Sequence, residues 1–571
     1  MRPQRKLRCL AAVGRILFAC CVASCGLGLS LSELRAQPLI FHRGAVNAGS
    51  FISPGAPGGA IARGSIFTIF GREIGPATPV QVSQFPLGTS FEGVSIEIVQ
   101  GGTSVGAIPI FVFAGQINAI MPSDAPLGRV SVRVTYQGVE SNPVTATVAD
   151  HSLGIFTATG GGIGPGIVQN FVSQLEQPIN SAQQTAKSGQ VVTLWATGLG
   201  PISGADGAAP PIGTLPFDVE IFVGGVAVTK ILYSGRAPMI SGVDQLVFEI
   251  PAGTPEGCFV PLRIRVNREF VSNTVTIAVR EDGSPCEDEF NPLTSTLLAG
   301  GVTGVLDLFR VDVQNDVDVL SPTSLIVDRA GAYFRREAGG PFPFNPALAI
   351  PPAGSCTAYA VRGDVLAGAQ PPFVPPAGLD AGTLSWTGPE GERTLERGSG
   401  NTPDRYATAT IGGPEGLGAD ADEPLFLTPG AYTAAGEGGA DVGVIAAEAQ
   451  VSGGLSWTNR NQLDELARDQ PLRFEWTGGS EERTFVSGIS VDRPNNASGV
   501  FLCVAPAGTT AMDVPSDVLA NLPTSSAVIG ESRSVLLVGS APSLVTFMAQ
   551  GLDMGAVLAG SIETKTVRWS R

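Results

Sequence analysis

Gly64-Ser65-Ile66-Phe67-Thr68-Ile69-Phe70, running on to Gly75-Pro76, is read a second time as Gly189-Gln190-Val191-Val192-Thr193-Leu194-Trp195, running on to Gly200-Pro201. The same order holds downstream. Ala114-Gly115-Gln116-Ile117-Asn118 through Pro122 returns as Val243-Asp244-Gln245-Leu246-Val247 through Pro251. Ser141-Asn142-Pro143-Val144-Thr145-Ala146-Thr147-Val148 returns as Ser272-Asn273-Thr274-Val275-Thr276-Ile277-Ala278-Val279. The offset drifts only from 125 to 131 residues. Order kept at near-constant spacing marks two tandem copies of one domain, and the period suits a β-sandwich of about 100 residues.

Local patterns agree. Val94, Ile96 and Ile98 alternate with Ser95, Glu97 and Val99, and Val130, Val132 and Val134 with Ser131, Arg133 and Thr135. Leu262, Ile264 and Val266 alternate with Arg263 and Arg265. Period-2 alternation predicts strands with one buried face. Turns are written in Gly, Pro, Asn and Asp, as in Pro251-Ala252-Gly253-Thr254-Pro255. Long amphipathic helical periodicity is missing. The fold class expected is all-β: tandem immunoglobulin-like sandwiches followed by one or two further β-sandwich-like domains.

The N-terminus carries Arg2, Arg5, Lys6 and Arg8, then a mostly apolar run from Cys9 to Leu31. With Leu34-Arg35-Ala36 before Gln37 it reads as a secretory signal over residues 1–36. A competing reading takes Val22-Ala23-Ser24-Cys25 as a lipobox, acylated at Cys25. No later segment is long and apolar enough to suggest a membrane helix. Beyond residue 36 the cysteines are Cys258, Cys286, Cys356 and Cys503. Four cysteines allow three pairings, and an exported chain favours disulfides. A local Cys258–Cys286 bridge would staple the end of the second copy and leave Cys356 for Cys503; buried free thiols are the alternative.

Of 35 basic and 51 acidic residues, six and one lie in the first 36, leaving 29 against 50 and a formal net charge near −21. Such a surface repels nucleic acid and anionic membrane. Gly and Pro total 118 of 571 residues, about 21%, high but below the range of disordered chains. With 43% hydrophobic residues the chain can bury several cores.

The second half holds a fainter repeat. Trp386-Thr387-Gly388-Pro389-Glu390-Gly391-Glu392-Arg393-Thr394 matches Trp476-Thr477-Gly478-Gly479-Ser480-Glu481-Glu482-Arg483-Thr484, and Leu455-Ser456-Trp457-Thr458 echoes Leu384-Ser385-Trp386-Thr387. The domains expected are 37–150 and 151–282 for the two copies, then 283–453 and 454–571, split near Gly453-Gly454. The fold of residues 285–355 is left open.

The first half resembles exported bacterial proteins, mostly acidobacterial, that carry the so-called Solibacter C-terminal domain. The resemblance rests on Val46-Asn47-Ala48-Gly49-Ser50-Phe51, Gly64 to Gly71, Gly115-Gln116-Ile117-Asn118, Gly154-Ile155-Phe156 and Trp195-Ala196-Thr197-Gly198-Leu199-Gly200-Pro201, and covers residues 44 to 280. It implies tandem immunoglobulin-like sandwiches of the kind found in cell-surface proteins. No activity is established for that family, so it assigns no site residues.

Motifs of chemistry are scarce. The chain has two histidines, His42 and His151. A Ser-His-Asp or Cys-His centre needs a histidine on the scaffold beside its nucleophile, whereas these fall near the start and in a joint between copies and read as exposed linker residues. Glu249 with Glu256, or Glu481 with Glu482, are nominal glycosidase pairs that nothing singles out. Asp420, Asp422 and Glu423 could offer Ca²⁺ hard oxygen ligands, without EF-hand spacing. The run Gly160, Gly161, Gly162 and Gly164 lacks the lysine and helix of a phosphate loop and reads as a flexible loop. Trp386, Trp457 and Trp476 are candidate stacking platforms for sugar, although their shared Trp-Thr context favours a core position; Trp195, opposite Phe70 in the repeat, is also expected in the core. No cofactor or metal is called for.

The function expected is a non-enzymatic exported binding, adhesion or scaffold module of the cell envelope or extracellular matrix, with a protein or polysaccharide partner and no nucleic acid. The alternative is a carbohydrate-binding accessory protein or weak glycan-active enzyme with its site in the C-terminal half.

Overall fold

The computed structural model describes residues 37–288, 290–315, 323–363, 365, 378–398, 406–413, 423–451, 453–478, 483–524, 532–541 and 544–570. The signal-like segment 1–36 lies outside them. In the first copy the strands run in space as Leu39–Asn47, Ile66–Arg72, Gln116–Ile120, Thr103–Phe113, Val94–Gln100, Gly128–Tyr136, Val144–Ala149 and Ile61–Ala62. Thr103–Phe113 serves both layers. Its first half pairs with Val94–Gln100, and its second half, from Ile108, pairs with Gln116–Ile120. Val94, Ile96, Ile98, Phe67, Ile69, Ile117 and Val132 all point into one core.

The second copy repeats this wiring with two five-stranded sheets. Val191–Thr197 pairs with Asp244–Glu249 as Ile66–Arg72 pairs with Gln116–Ile120. Gly257–Val266 lies between Val219–Val223 and Val275–Val279 as Gly128–Tyr136 lies between Val94–Gln100 and Val144–Ala149.

The repeated Ser-Asn pair explains itself here. Asn142 accepts from the Ile40 N–H at 2.8 Å and donates to the Ile40 carbonyl at 3.0 Å. Asn273 does the same to Ile155, at 2.7 and 3.1 Å, and also donates to the Gly162 carbonyl at 2.7 Å. In each sandwich a side-chain amide stands in for a peptide group and clasps the entering strand to the leaving one. The preceding serine is equally fixed: Ser141 accepts from the Val134 N–H and Ser272 from the Ile264 N–H, both at 3.0 Å.

The second half departs from the expected division. One ten-stranded sheet contains, in its main path, Cys356–Arg362, Ala497–Val504, Arg483–Asp492, Ser532–Ala541, Met554–Ser570, Val302–Asn315, Thr323–Arg336 and Tyr406–Gly412. Strands from both sides of Gly453-Gly454 therefore share a sheet. Val302–Asn315 and Met554–Ser570 run parallel, in register from Thr303 opposite Met554 to Gln314 opposite Lys565. Two cores do exist, each closed by a smaller sheet. Leu384–Gly388, Gly391–Leu395, Gly430–Gly436 and Ile445–Val451 cover the first, which also takes Phe547, Val557 and Ala559. Ser456–Trp457, Leu472–Thr477 and Ala511–Val514 cover the second, which also takes Cys356 and Ala358. Each core borrows a strand from the other's stretch of sequence, and the 17-residue strand Met554–Ser570 lies along both.

Residues 285–355, left open by the sequence, contain the short helix Leu293–Ala299 and the first two long strands. Leu293, Leu297, Phe344, Leu348 and Val305 bury a joint against Phe259, Ala278 and Ile163 of the second copy. Cys258–Cys286 lies in this joint, and Cys356–Cys503 crosslinks facing strands, both with S–S distances of 2.01 Å. The Gly160–Gly164 run is a docked turn and not the flexible loop expected. Gly162 has φ +78°, and a Cβ there would lie 1.9 Å from the Ser50 carbonyl oxygen.

Asn273→Ala strands three buried backbone groups at once, so we expect a loss of about 3 kcal/mol; Asn142→Ala, at a half-buried clasp, should cost less. Denaturant unfolding of the two variants checks the order. Opening Cys258–Cys286 as a double Ser variant releases residues 28 apart in sequence and should cost about 3 kcal/mol, read as a lower thermal midpoint.

Candidate functional site

The tryptophans do not form a platform. Trp386, Trp457 and Trp476 are 1%, 3% and 1% exposed, so none offers a ring face to a ligand. Trp386 fills the first C-terminal core from its smaller sheet. Trp457 and Trp476 sit opposite one another in the smaller sheet of the second core, with Trp457 stacked on Phe474 at 5.4 Å. Trp195 departs from expectation in the other sense. Leu194 and Ala196 point into the core, so Trp195 takes the opposite, half-exposed side of its strand, as Phe70 does, and its indole donates to Gln169 at 2.8 Å.

His42 is exposed. His151 is buried, contrary to a linker reading, because the joint between copies is packed. Its Nδ1 lies 2.7 Å from the Leu199 carbonyl and must donate, while Nε2 lies 2.9 Å from the Asn267 amide nitrogen and accepts. Phe217 meets the ring edge-on at 4.6 Å. With both nitrogens engaged, His151 is a structural pin. Glu249 is paired with Lys230 at 2.5 Å and Glu256 with Arg280 at 3.3 Å, each with its own cation instead of facing one another. Glu481, Glu482, Asp420 and Asp422 lie outside the described residues; Glu423 is exposed, 3.7 Å from Arg393. Among the described residues no cluster of three or more His, Cys, Asp or Glu side chains forms a metal cage.

The structure builds a different site. Arg263 and Arg265 alternate on what the sequence marks as the polar face of Gly257–Val266. That face is covered by the C-terminal sandwich, and Arg263 is only 2% exposed. Its guanidinium is ion-paired with Asp517 of the short helix Ser516–Leu519, which is 7% exposed, and donates to the Cys356 carbonyl at 3.4 Å. Phe222 lies under both Arg263 and Arg265. Beside this pair opens a cleft of about 450 Å³. Its walls are Arg265, Arg268, Glu269 and Phe270 from the second copy and Arg468, Asp469, Ser516, Asp517 and Asn521 from the C-terminal sandwich, with Pro57, Gly58 and Ser152 at one end.

Three arginines converge in a chain that is strongly acidic overall. Arg265 holds Glu220 by two bonds of 2.6 and 3.0 Å, and that hydrogen bonding raises its pKa. Arg268, largely exposed, reaches Asp218 at 3.2 Å. Arg468 is different. Its Nη1 donates to the Leu522 carbonyl at 2.6 Å, its Nε is buried without a hydrogen-bond partner, and burial pushes its pKa down. Forked donors beside exposed carboxylates and a hydroxyl suit a polar, partly anionic ligand. The sequence gives no sign of this site, since its residues come from five distant stretches and meet only through domain packing.

No family model matches the chain, and no curated protein matches it. Among solved structures the chain is similar to a tetra-tandem repeat from the extending region of a large adhesion protein, at 12% identity over 88% of this chain and 95% of that one, with a TM-score of 0.13. Domains 5–6 of the S-layer protein SbsC match at 12% identity over 42% of this chain and 98% of that one, with a TM-score of 0.16. The Bacteroides ovatus mixed-linkage glucan utilization locus protein SGBP-B matches at 11% identity over 85% and 93%, with a TM-score of 0.13. At these scores none carries an argument about this chain.

Asp517→Asn keeps the shape of the side chain and leaves the Arg263 charge buried and uncompensated. We expect a loss of about 3–5 kcal/mol. An Arg263→Met, Asp517→Leu double variant, which removes both charges, should recover most of it. Thermal and denaturant midpoints of the single and double variants check the contrast.

Proposed function

We propose that this chain is an exported, non-enzymatic binding or scaffold protein of the bacterial cell envelope or matrix, and that its tandem unit 44–280 belongs with the Solibacter-type exported proteins it resembles. The observation that carries the binding reading is the arginine-lined cleft between the second copy and the C-terminal sandwich. Rigid β-sandwiches are usual carriers of such sites, since loops and strand ends on a fixed frame hold polar groups in place. The frame here is held in several places. Asn47 donates to the Ser152 carbonyl at 2.8 Å between the two copies, Arg263 pairs with Asp517, and Arg43 of the first copy donates to the Pro494 carbonyl at 2.6 Å. The two disulfides and the signal-like N-terminus favour an oxidising, extracytoplasmic compartment. Among the described residues no helix is long and apolar enough to cross a membrane.

A glycan-active site built on the C-terminal tryptophans loses its basis, since those rings are in the cores. Polysaccharide remains a partner class through the cleft. Residues 37–571, offered to isolated cell envelopes and a panel of insoluble polysaccharides, should be retained saturably on at least one of them. Retention on none overturns the reading.

A further inference from the structure

We propose that the cleft between the second copy and the C-terminal sandwich binds a uronic-acid-bearing polysaccharide, with Arg468 holding a sugar carboxylate. The inference rests on the binding role above and names the ligand class for that site.

Arg263 is matched by Asp517, Arg265 by Glu220 and Arg268 by Asp218. Arg468 has one backbone carbonyl and no carboxylate within ion-pair distance among the described residues, and its Nε is a buried donor with nothing to donate to. That Nε is sealed from the cleft, so a bound anion would meet the terminal nitrogens of the half-buried guanidinium and supply the counter-charge it lacks. A guanidinium fork fits a carboxylate by two parallel bonds.

The other walls select among anions. Glu269 and Asp469 are exposed carboxylates in the same cleft. They oppose a densely charged polyphosphate, yet they readily accept hydrogen bonds from hydroxyl groups. Ser516 adds a half-buried hydroxyl, and Phe270 is a half-buried ring, while the buried Asn521 amide is spent on the Asp517 carbonyl. A chain of uronic acids offers isolated carboxylates separated by hydroxyl donors and an apolar ring face. An acidic peptide offers one backbone N–H per residue to Glu269 and Asp469, where a uronic acid unit offers its ring hydroxyls as well as an apolar ring face. The formal charge near −21 over residues 37–571 repels an anionic polymer from most of the surface, whereas the cleft sets three arginines against three carboxylates and is close to neutral, so that attraction there is local to Arg468.

The test is calorimetric titration of residues 37–571 with oligogalacturonate, a neutral oligoglucan of equal length and polyglutamate. Oligogalacturonate should bind, and more weakly as salt rises from about 0.05 to 0.5 M. Arg468→Ala should weaken it at least tenfold at an unchanged melting midpoint, and Arg468→Lys, which keeps the charge but loses the fork, should fall between. Should Arg468→Ala lower the midpoint, the lysine variant and the exposed Arg268→Ala, expected to weaken binding a few-fold, carry the test. No binding of oligogalacturonate, equal binding of the neutral glucan or of polyglutamate, or indifference to all three substitutions overturns the proposal. Retention on envelopes that survives Arg468→Ala would leave the binding role standing and the ligand assignment fallen.

Discussion

The arrangement of this molecule turns on one buried ion pair. Arg263 leaves the second sandwich and Asp517 leaves the last one, and they meet almost free of water. A buried pair of this kind is weak evidence for stability, since desolvating two charges costs about what their attraction returns. Its force lies in what it forbids. A sideways slip of one sandwich over the other would leave a bare charge in a dry contact. The pair therefore sets the docking position, and the neighbouring cleft, with residues from both partners, inherits its shape from that position.

Around this contact the chain combines two ways of joining β-sandwiches. The two copies at the front are beads in sequence order, each closed by its own asparagine clasp and packed on the other through Ala48, Ile66, Phe156 and their neighbours. The two cores at the back exchange strands. The disulfides differ in reach: Cys258–Cys286 is a local staple at the joint between front and back, and Cys356–Cys503 ties a strand from the earlier stretch into the later core.

Much of the front half was legible. Hydrophobic alternation and repeated turns are local signals, and the repeated Ser-Asn pair marks a structural device that recurs in both copies. The packing of the tryptophan cores was partly legible, through the shared Trp-Thr context. What could not be read were relations set by packing at long range. Arg263 sits on a polar strand face, and nothing local says that another domain will cover it. Gly453-Gly454 looks like a boundary because it is Gly-rich, while the strand pairing that crosses it joins Thr303 to Met554. His151 looks like a linker residue because it lies between copies; Leu199 and Asn267, which hold it, come from loops of the following domain. The cleft was invisible for the same reason.

The strand exchange at the back has a kinetic side. A chain threaded outward from its N-terminus can complete the first two sandwiches from segments already at hand. The strand Val302–Asn315 must wait for Met554–Ser570 before its parallel edge is covered, and contacts so distant in sequence form slowly. During that delay a 14-residue edge, half of it apolar, stands open to other chains. Successful production of the protein should then depend less on the stability of the finished fold than on how well that edge is shielded while the rest of the chain arrives.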